Sequence, residues 1–125
     1  MRQRRFCDGV EIISVDRAAL RRRLEEIAAR IRRERPKVQE VLLFGSFARG
    51  DFTPRSDVDV AVLLSENGEP FLKRTDAFLE YFADLPLDVN LLVYTRDEVE
   101  RMLADGNRLA RAIAEGVPLG REEAQ

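Results

Sequence analysis

The stretch "VQEVLLFGSFARGDFTPRSDVDVAVLL" (residues 38–64) contains two apolar runs separated by a polar segment. Both runs are short and rich in Val and Leu, which predicts two buried strands. The first run ends on Gly45-Ser46, and the second opens on two aspartates, Asp57 and Asp59. Two carboxylates at the start of a buried strand lower the stability of a fold unless they are compensated. The stretch therefore predicts a chemical site as well as a fold.

The rest of the chain alternates between strand and helix patterns. Residues 10–15 and 87–94 predict further strands, and residues 117–119 predict a short edge strand. Apolar residues at helical spacing predict three helices, and Gly106-Asn107 can divide the last of them. The residues expected to face inward from that last helix are Val99, Met102, Leu103, Leu109 and Ile113. This order predicts an α/β (α+β) domain in which helices flank a mixed β-sheet of about four to five strands.

The composition limits the chemistry that is available. The 125 residues suffice for one core and include one cysteine, Cys7, and no histidine. An internal disulfide and histidine-dependent activation of a nucleophile are therefore excluded, so acid, base or metal chemistry falls to carboxylates. No apolar run approaches a membrane span, and "MRQRRF" lacks the apolar core of a signal peptide, so we expect a cytoplasmic protein.

Charge is unevenly distributed along the chain. Residues 1–37 hold twelve Arg/Lys against six Asp/Glu, whereas residues 38–125 hold nine against seventeen. A polyanion-binding arm is one interpretation of the basic part. We favour a solvated helix face, and the absence of interleaved aromatic residues disfavours direct nucleic-acid binding. The i,i+4 pairs expected on that face are Arg21–Glu25, Arg22–Glu26 and Arg30–Glu34.

The two aspartates are spaced to act together. Residues i and i+2 of a strand share a face, so Asp57 and Asp59 should project to one side while Val58 and its i+2 neighbours face the core. Such a pair repels itself unless a cation lies between the carboxylates, and Mg²⁺ is the physiological ion that prefers these ligands. Asp88 begins another predicted strand and would complete a three-carboxylate site for two metal ions if the strands are neighbours.

Candidates for phosphate binding surround the Gly-Ser turn. Gly45 permits close approach of a phosphate to the backbone, and Ser46 adds a hydroxyl before a helical turn at 47–49, whose N–H groups attract anions. Long cations in and after the segment could neutralise a triphosphate. The nucleotide-binding candidates are Gly45, Ser46, Arg49, Arg55, Ser56 and Lys73, with Arg74 beside Lys73.

Gly45-Ser46, ten residues, and then Asp57-x-Asp59 resemble the signature of the DNA polymerase beta-like nucleotidyltransferase superfamily. The string "LFGSFARGDFTPRSDVDVAVLL" is similar to its minimal nucleotidyltransferase (MNT) family, and the likeness continues through "PLDVNLLVY" to "AIAEGVPLG". It implies a single nucleotidyltransferase domain over residues 1–125. Residues 38–120 would form the catalytic core, preceded by an N-terminal strand and helix (1–37) and followed by a tail (121–125).

The resemblance also implies roles for the site residues. Asp57 and Asp59 would bind the metals, Asp88 would be the third ligand and base, and Gly45 and Ser46 would hold the triphosphate. The chain would transfer a nucleoside monophosphate, AMP from ATP, to a hydroxyl with the help of two Mg²⁺ ions.

MNT proteins often act as antitoxins to a HEPN-domain ribonuclease encoded beside them, which they modify on a tyrosine. The partners that the resemblance implies are therefore such a toxin and a nucleoside triphosphate. Two alternatives stay open. One is an antitoxin that neutralises its partner by binding alone, and the other is a small-molecule nucleotidyltransferase that works as a homo-oligomer.

Overall fold

The computed structural model describes the backbone of residues 2–7, 10–15, 17–50, 57–66 and 70–121. The strands in these ranges are β1 (Arg2–Cys7), β2 (Val10–Val15), β3 (Val38–Phe44), β4 (Val58–Leu64), β5 (Val89–Thr95) and β6 (Val117–Leu119). The helices are α1 (Arg17–Glu34), α2 (Ser46–Arg49), α3 (Phe71–Leu79), α4 (Arg96–Ala104) and α5 (Arg108–Ala114), with a 3-10 helix (Glu80–Phe82) directly after α3. Within this part of the chain, no helix is both long and apolar enough to cross a membrane.

A four-stranded mixed sheet forms the centre of the molecule. Its strand order is β5-β4-β3-β6, with β4 parallel to β5 and β3 antiparallel to both β4 and β6. This confirms the predicted α+β class and mixed sheet. β3 finishes at the edge of the sheet where β4 and β5 begin, and we call this edge the Gly45 end. The opposite edge, where β4 and β5 finish, is the Thr95 end.

The N-terminal strands lie outside this sheet. β1 and β2 pair antiparallel in a separate two-stranded sheet, with Arg2 opposite Val15 and Cys7 opposite Val10. The predicted strand at 10–15 is confirmed, but β1 was not predicted. Its sequence, "RQRRFC", is dominated by charged residues, so its strand conformation reflects backbone pairing with β2, which no apolar alternation signals.

Both faces of the sheet are covered by helices. Side chains of β4 that alternate along the strand, Val58, Val60 and Val62, are fully buried on the face that packs against α1 and α3. The predicted stripe of α1 lies on this face, and its members Leu20, Leu24, Ile27 and Ile31 are all buried. The opposite face packs against α4 and α5 through Val99, Ala110 and Ile113. The strand β4, which carries Asp59, is therefore fixed by packing on both of its faces.

The last predicted helix is divided at Gly106-Asn107, as expected, but two of its residues do not face inward. Leu103 is 39% exposed and Leu109 is 36% exposed, whereas Val99 and Ile113 are buried. The inward-facing prediction for these two leucines was wrong. A single helical stripe does not continue through the turn, because Gly106, with a φ of 77°, interrupts the helical conformation between α4 and α5.

The charged face of α1 is paired differently from the prediction. Arg30 and Glu34 form the expected ion pair at 2.9 Å. The other two predicted pairs are wrong, because Glu25 instead accepts a hydrogen bond from the Gly120 N–H at 2.9 Å and Glu26 pairs with Arg23 at 3.4 Å. The i,i+4 spacing could not anticipate that the chain after β6 returns to α1.

The Thr95 end of the sheet is held by a partly buried ion pair joined to a helix cap. Thr95 and Glu98 form the predicted capping box, with Glu98 N–H donating to Thr95 Oγ1 at 3.2 Å and Thr95 N–H donating to Glu98 Oε1 at 2.7 Å. Arg74, which is only 6% exposed, donates to the same Glu98 Oε1 at 2.5 Å. One carboxylate therefore links the start of α3 to the start of α4.

The Glu98 linkage predicts a pH dependence of stability. The hydrogen bond from Arg74 holds the pKa of Glu98 below its usual 4.5, with further lowering from the Thr95 N–H. A carboxyl group whose pKa is lower in the folded state stabilises the fold above its unfolded pKa, and this contribution is lost as the pH falls. Urea unfolding between about pH 5 and pH 3 should show a steeper loss of free energy of unfolding in wild type than in Glu98→Gln, which keeps a capping-box side chain. The matched exchange Glu100→Gln, at an exposed position of α4, should keep the wild-type slope.

A second prediction concerns Gly120, which lies against the backbone of α1. Its φ is 67°, and a Cβ built on it would be 2.5 Å from Ala29 N and 2.6 Å from Ala28 C. Gly120→Ala should lower the free energy of unfolding by about 2–4 kcal/mol through overpacking and backbone strain. Gly106→Ala is the control, because its φ of 77° is similar but nothing lies within 4 Å of the added Cβ. Equal losses in the two variants would show that contact with α1 is not the cause.

Candidate active site

The candidate site lies at the Gly45 end of the sheet, where three strands bring polar residues together. Phe44, the last residue of β3, is opposite Asp59 in the antiparallel pairing with β4. On the other side of β4, Asp59 is opposite Asn90 in the parallel pairing with β5. The order of the strands therefore surrounds Asp59 with residues from β3 and β5.

The carboxylates of Asp57 and Asp59 project to the same side, as predicted from their spacing. Asp57 is exposed just before β4, and Asp59 is half-buried within it, while Val58 between them is buried on the other face. The side-chain nitrogen Nδ2 of Asn90 donates to Asp59 Oδ1 at 3.0 Å and lies 3.4 Å from Asp57 Oδ2. One amide group thus bridges the two carboxylates.

Gly45 is required for reasons of space. Its φ of 74° and ψ of −151° are a conformation that residues with a Cβ rarely adopt. A Cβ built on Gly45 would lie 2.1 Å from Asp59 Oδ2, far inside contact distance. With the Asp59 carboxylate in this orientation, there is therefore no room for a side chain at residue 45.

A single turn of helix begins directly after Gly45. Arg49 N–H donates to Gly45 O at 3.1 Å, and Gly50 N–H donates to Ser46 O at 2.9 Å, which closes α2. Phe47 is 8% exposed and anchors this turn in the core. The predicted helical turn is confirmed, and half-buried Ser46 lies at its start, next to the aspartates in the sheet.

Asp88 lies beside Asp57 and Asp59 in the sheet, but its carboxylate does not join theirs. Asp88 O accepts the Val58 N–H at 2.8 Å, so the predicted adjacency of the two strands is confirmed. The Asp88 side chain is exposed. Among the residues that the structure describes, no three acidic, histidine or cysteine side chains converge as a metal-binding group. The role of Asp88 as a third ligand stays a prediction.

The remaining candidates for nucleotide binding divide into three cases. Arg49 lies at the end of α2, so it belongs to the Gly45 end of the sheet. Arg55 and Ser56 lie outside the described residues. Lys73 and Arg74 lie away from the Gly45 end, and their part in nucleotide binding stays a prediction.

Lys73 and Arg74 belong to the first turn of α3, where Arg74 contacts Glu98 at the Thr95 end. Seven residues of β4 separate the two ends, a length of about 20 Å, which is beyond the reach of a lysine side chain. The cause is topological. The chain leaves β4 at its far end, so the helix that follows must begin there.

Asn90 was missed in the sequence. It lies two residues after Asp88 in the predicted strand 87–94, so the i+2 rule places it on the same face as Asp88. Its contact with the aspartates depends on the register of β5 against β4, which the spacing of residues within one strand cannot give.

The residues present fit a hard divalent cation. The carboxylates of Asp57 and Asp59 lie near the same amide nitrogen and carry like charges. A cation bound between them would compensate their mutual repulsion. Carboxylate oxygens are the ligands that Mg²⁺ prefers. Asp57 and Asp59 would hold such an ion at the Gly45 end, close to the start of α2.

Comparison with known proteins agrees with this arrangement. A family model described as "Nucleotidyltransferase domain" matches residues 24–119. The chain belongs to the nucleotidyltransferase domain family. This confirms the resemblance drawn from the Gly-Ser and Asp-x-Asp motif. The matched range includes every part of the site described above.

Two relatives of this nucleotidyltransferase domain come from Methanocaldococcus jannaschii, and both are named as candidate protein adenylyltransferases. They are 38% identical over 64 residues and 39% identical over 57 residues. These matches span 50% and 46% of this chain, and 64% and 56% of the relatives, which is less than two thirds of the length of either relative. A crystal structure of a candidate nucleotidyltransferase from Sulfolobus solfataricus has the same fold. It superposes with a TM-score of 0.60 at 20% identity, over 82% of this chain and 80% of that chain.

The contact between Gly45 and Asp59 generates a prediction. Gly45→Ala should push the Asp59 carboxylate aside and weaken binding of Mn²⁺, a spectroscopic substitute for Mg²⁺, by about 10-fold or more. Gly50→Ala is a matched control at the other end of α2, because its φ is 84° but the added Cβ would meet only the flexible guanidinium of Arg17, at 3.3 Å. The dissociation constant can be measured by electron paramagnetic resonance of free Mn²⁺. A loss of the same size in both variants would point to backbone strain in α2 and not to displacement of Asp59.

Proposed function

We propose that this chain is a Mg²⁺-dependent nucleotidyltransferase that transfers AMP from ATP to a tyrosine hydroxyl of a HEPN-type ribonuclease toxin, and so acts as its antitoxin. The observation that carries the proposal is the pairing of Asp57 and Asp59 beside Gly45 in a member of the nucleotidyltransferase domain family. The relatives named as candidate protein adenylyltransferases support AMP as the transferred group and a protein as the acceptor. The toxin partner is proposed from the resemblance of the motif to MNT antitoxins.

Each polar residue at the Gly45 end has a role in this proposal. Asp57 and Asp59 would hold the metal ions, two in the full site, and such ions would supply positive charge for the triphosphate and the departing pyrophosphate. The start of α2, with Gly45 and Ser46, receives the phosphates through backbone N–H groups and the serine hydroxyl. Arg49, on the same turn, adds positive charge beside them.

The transfer step follows from these positions. The tyrosine oxygen of the acceptor attacks the α-phosphorus of ATP, forming a new O–P bond while the bond from the α-phosphorus to the bridging oxygen breaks. The proton of the hydroxyl passes to a carboxylate, for which we propose Asp88, whose backbone oxygen accepts the Val58 N–H beside Asp57. Pyrophosphate leaves with the electron pair of the broken bond.

The exposure of the site favours a large acceptor. Asp57, Asp88 and Asn90 are all exposed at the Gly45 end of the sheet, so a hydroxyl on the surface of another protein can reach them. A small hydroxyl compound would need further walls to hold it there, as a second copy of the chain could supply. A protein acceptor needs only surface complementarity, and we therefore propose it as the principal substrate.

The direct test uses ATP labelled at the α-phosphate, with Mg²⁺ and a purified HEPN toxin encoded beside this chain. Label should appear on the toxin with wild type, and should fall by about 1000-fold or more with Asp57→Asn/Asp59→Asn, because the metal ligands supply several kcal/mol of transition-state stabilisation. Asp76→Asn/Asp105→Asn is the matched control, since it makes the same change in charge at two exposed positions away from the pair.

The alternatives give different results in this experiment. Toxin silencing without label, unchanged in Asp57→Asn/Asp59→Asn, would show that the chain neutralises its partner by binding alone. Label that appears on a small hydroxyl compound in the absence of protein acceptor would favour a small-molecule transferase. Competition by unlabelled GTP, CTP and UTP would establish whether ATP is the preferred donor.

A further inference from the structure

We propose that Asn90 is a positioning residue whose side-chain amide holds the carboxylates of Asp57 and Asp59 together for a divalent cation. The inference rests on the proposed function, because it concerns the same site. It extends that function to a residue that lies outside the Gly-Ser and Asp-x-Asp motif.

The position of Asn90 is set by the parallel pairing of β4 and β5. Val58 is opposite Val89 and Asp59 is opposite Asn90 in that register. Because alternate residues share a face, Asn90 lies on the face of the sheet that carries Asp57 and Asp59, directly beside Asp59. A shift of one residue in this pairing would turn Asn90 away from the aspartates.

The contacts of Asn90 fix both carboxylates. Asp59 Oδ1 accepts from Asn90 Nδ2 at 3.0 Å, while Asp59 Oδ2 lies against Gly45, so this carboxylate is confined on two sides. Asp57 is more exposed, and its contact with Asn90 Nδ2 at 3.4 Å is the only side-chain hydrogen bond that it makes to a residue within the described ranges. Without Asn90, Asp57 would be free to turn away from Asp59.

An amide is chemically suited to this task. Its NH₂ group carries two donors and no net charge, so it can satisfy one oxygen of each carboxylate and leave the remaining oxygens for a metal ion. A lysine there would cancel one of the two negative charges and compete with the cation, whereas a carboxylate would add repulsion. Asn90 thus reduces the repulsion between the aspartates without removing the negative charge that binds the ion.

The test measures Mn²⁺ affinity of the full chain without nucleotide or acceptor, by electron paramagnetic resonance of free Mn²⁺. Asn90→Leu keeps the approximate size of the side chain but removes the donor, and should raise the dissociation constant about 10-fold, as is typical when a partner of a metal ligand is lost. Asn107→Ala is the control, because Asn107 caps α5 by accepting from Ala110 N–H and makes no contact with the aspartates. Its loss should lower stability and leave Mn²⁺ affinity unchanged.

Further variants separate the outcomes. If Asn90→Leu does not fold, Asn90→Val, which suits a strand, provides the same loss of donor. Wild-type Mn²⁺ affinity in the folded Asn90 variant, with affinity lost in Asp57→Asn/Asp59→Asn, would overturn the role of Asn90 and leave the proposed function intact. Wild-type affinity in the aspartate variant as well would overturn both. In the transfer assay, the deficit of Asn90→Leu should diminish as Mg²⁺ is raised to saturation, because the residue acts on metal binding and not on the chemical step.

Discussion

The contact between the Gly45 backbone and the Asp59 carboxylate is the constraint on which the rest of the site depends. It joins the turn that leaves β3 to the strand that begins opposite it, and with the carboxylate in this orientation no side chain fits at residue 45. The start of α2, which carries partial positive charge, is thereby held next to a negatively charged carboxylate. A helix start attracts anions and an aspartate repels them, so a phosphate can occupy this junction only together with a cation. In the proposed function, the geometry of one glycine would thus couple metal and phosphate binding.

The central position of β4 explains how a small domain keeps this site rigid. β4 is paired on both sides, and its side chains Val58, Val60 and Ala61 are fully buried against helices on the two faces of the sheet. Asp59 therefore projects from a backbone that cannot move without disturbing both core layers. Rigid support from regular structure orients catalytic groups better than a loop does. The helices of this domain contribute to the site chiefly by holding β4 in place.

Much of this organisation could be predicted from local sequence patterns. The stripe of α1, the limits of β3, the capping box at Thr95 and the shared face of Asp57 and Asp59 all follow from spacing within one element. The errors concern relations between elements. The predicted partner of Glu25 was wrong because the chain after β6 returns to α1, where the Gly120 N–H donates to Glu25. Lys73 is near the motif in sequence, but the direction of β4 carries the start of α3 to the other end of the sheet. Asn90 was missed because its contact with Asp59 spans 31 residues and depends on strand register.

The two ends of the sheet use carboxylates in opposite ways, and this difference supports a functional interpretation of the Gly45 end. At the Thr95 end, Glu98 is compensated by Arg74 and by a backbone N–H, so its charge stabilises the fold. At the Gly45 end, Asp57 and Asp59 face each other with a neutral amide between them, and neither forms an ion pair with a cation among the residues that the structure describes. Selection for stability alone would favour the first arrangement at both ends. The uncompensated pair is expected where a ligand brings the missing positive charge.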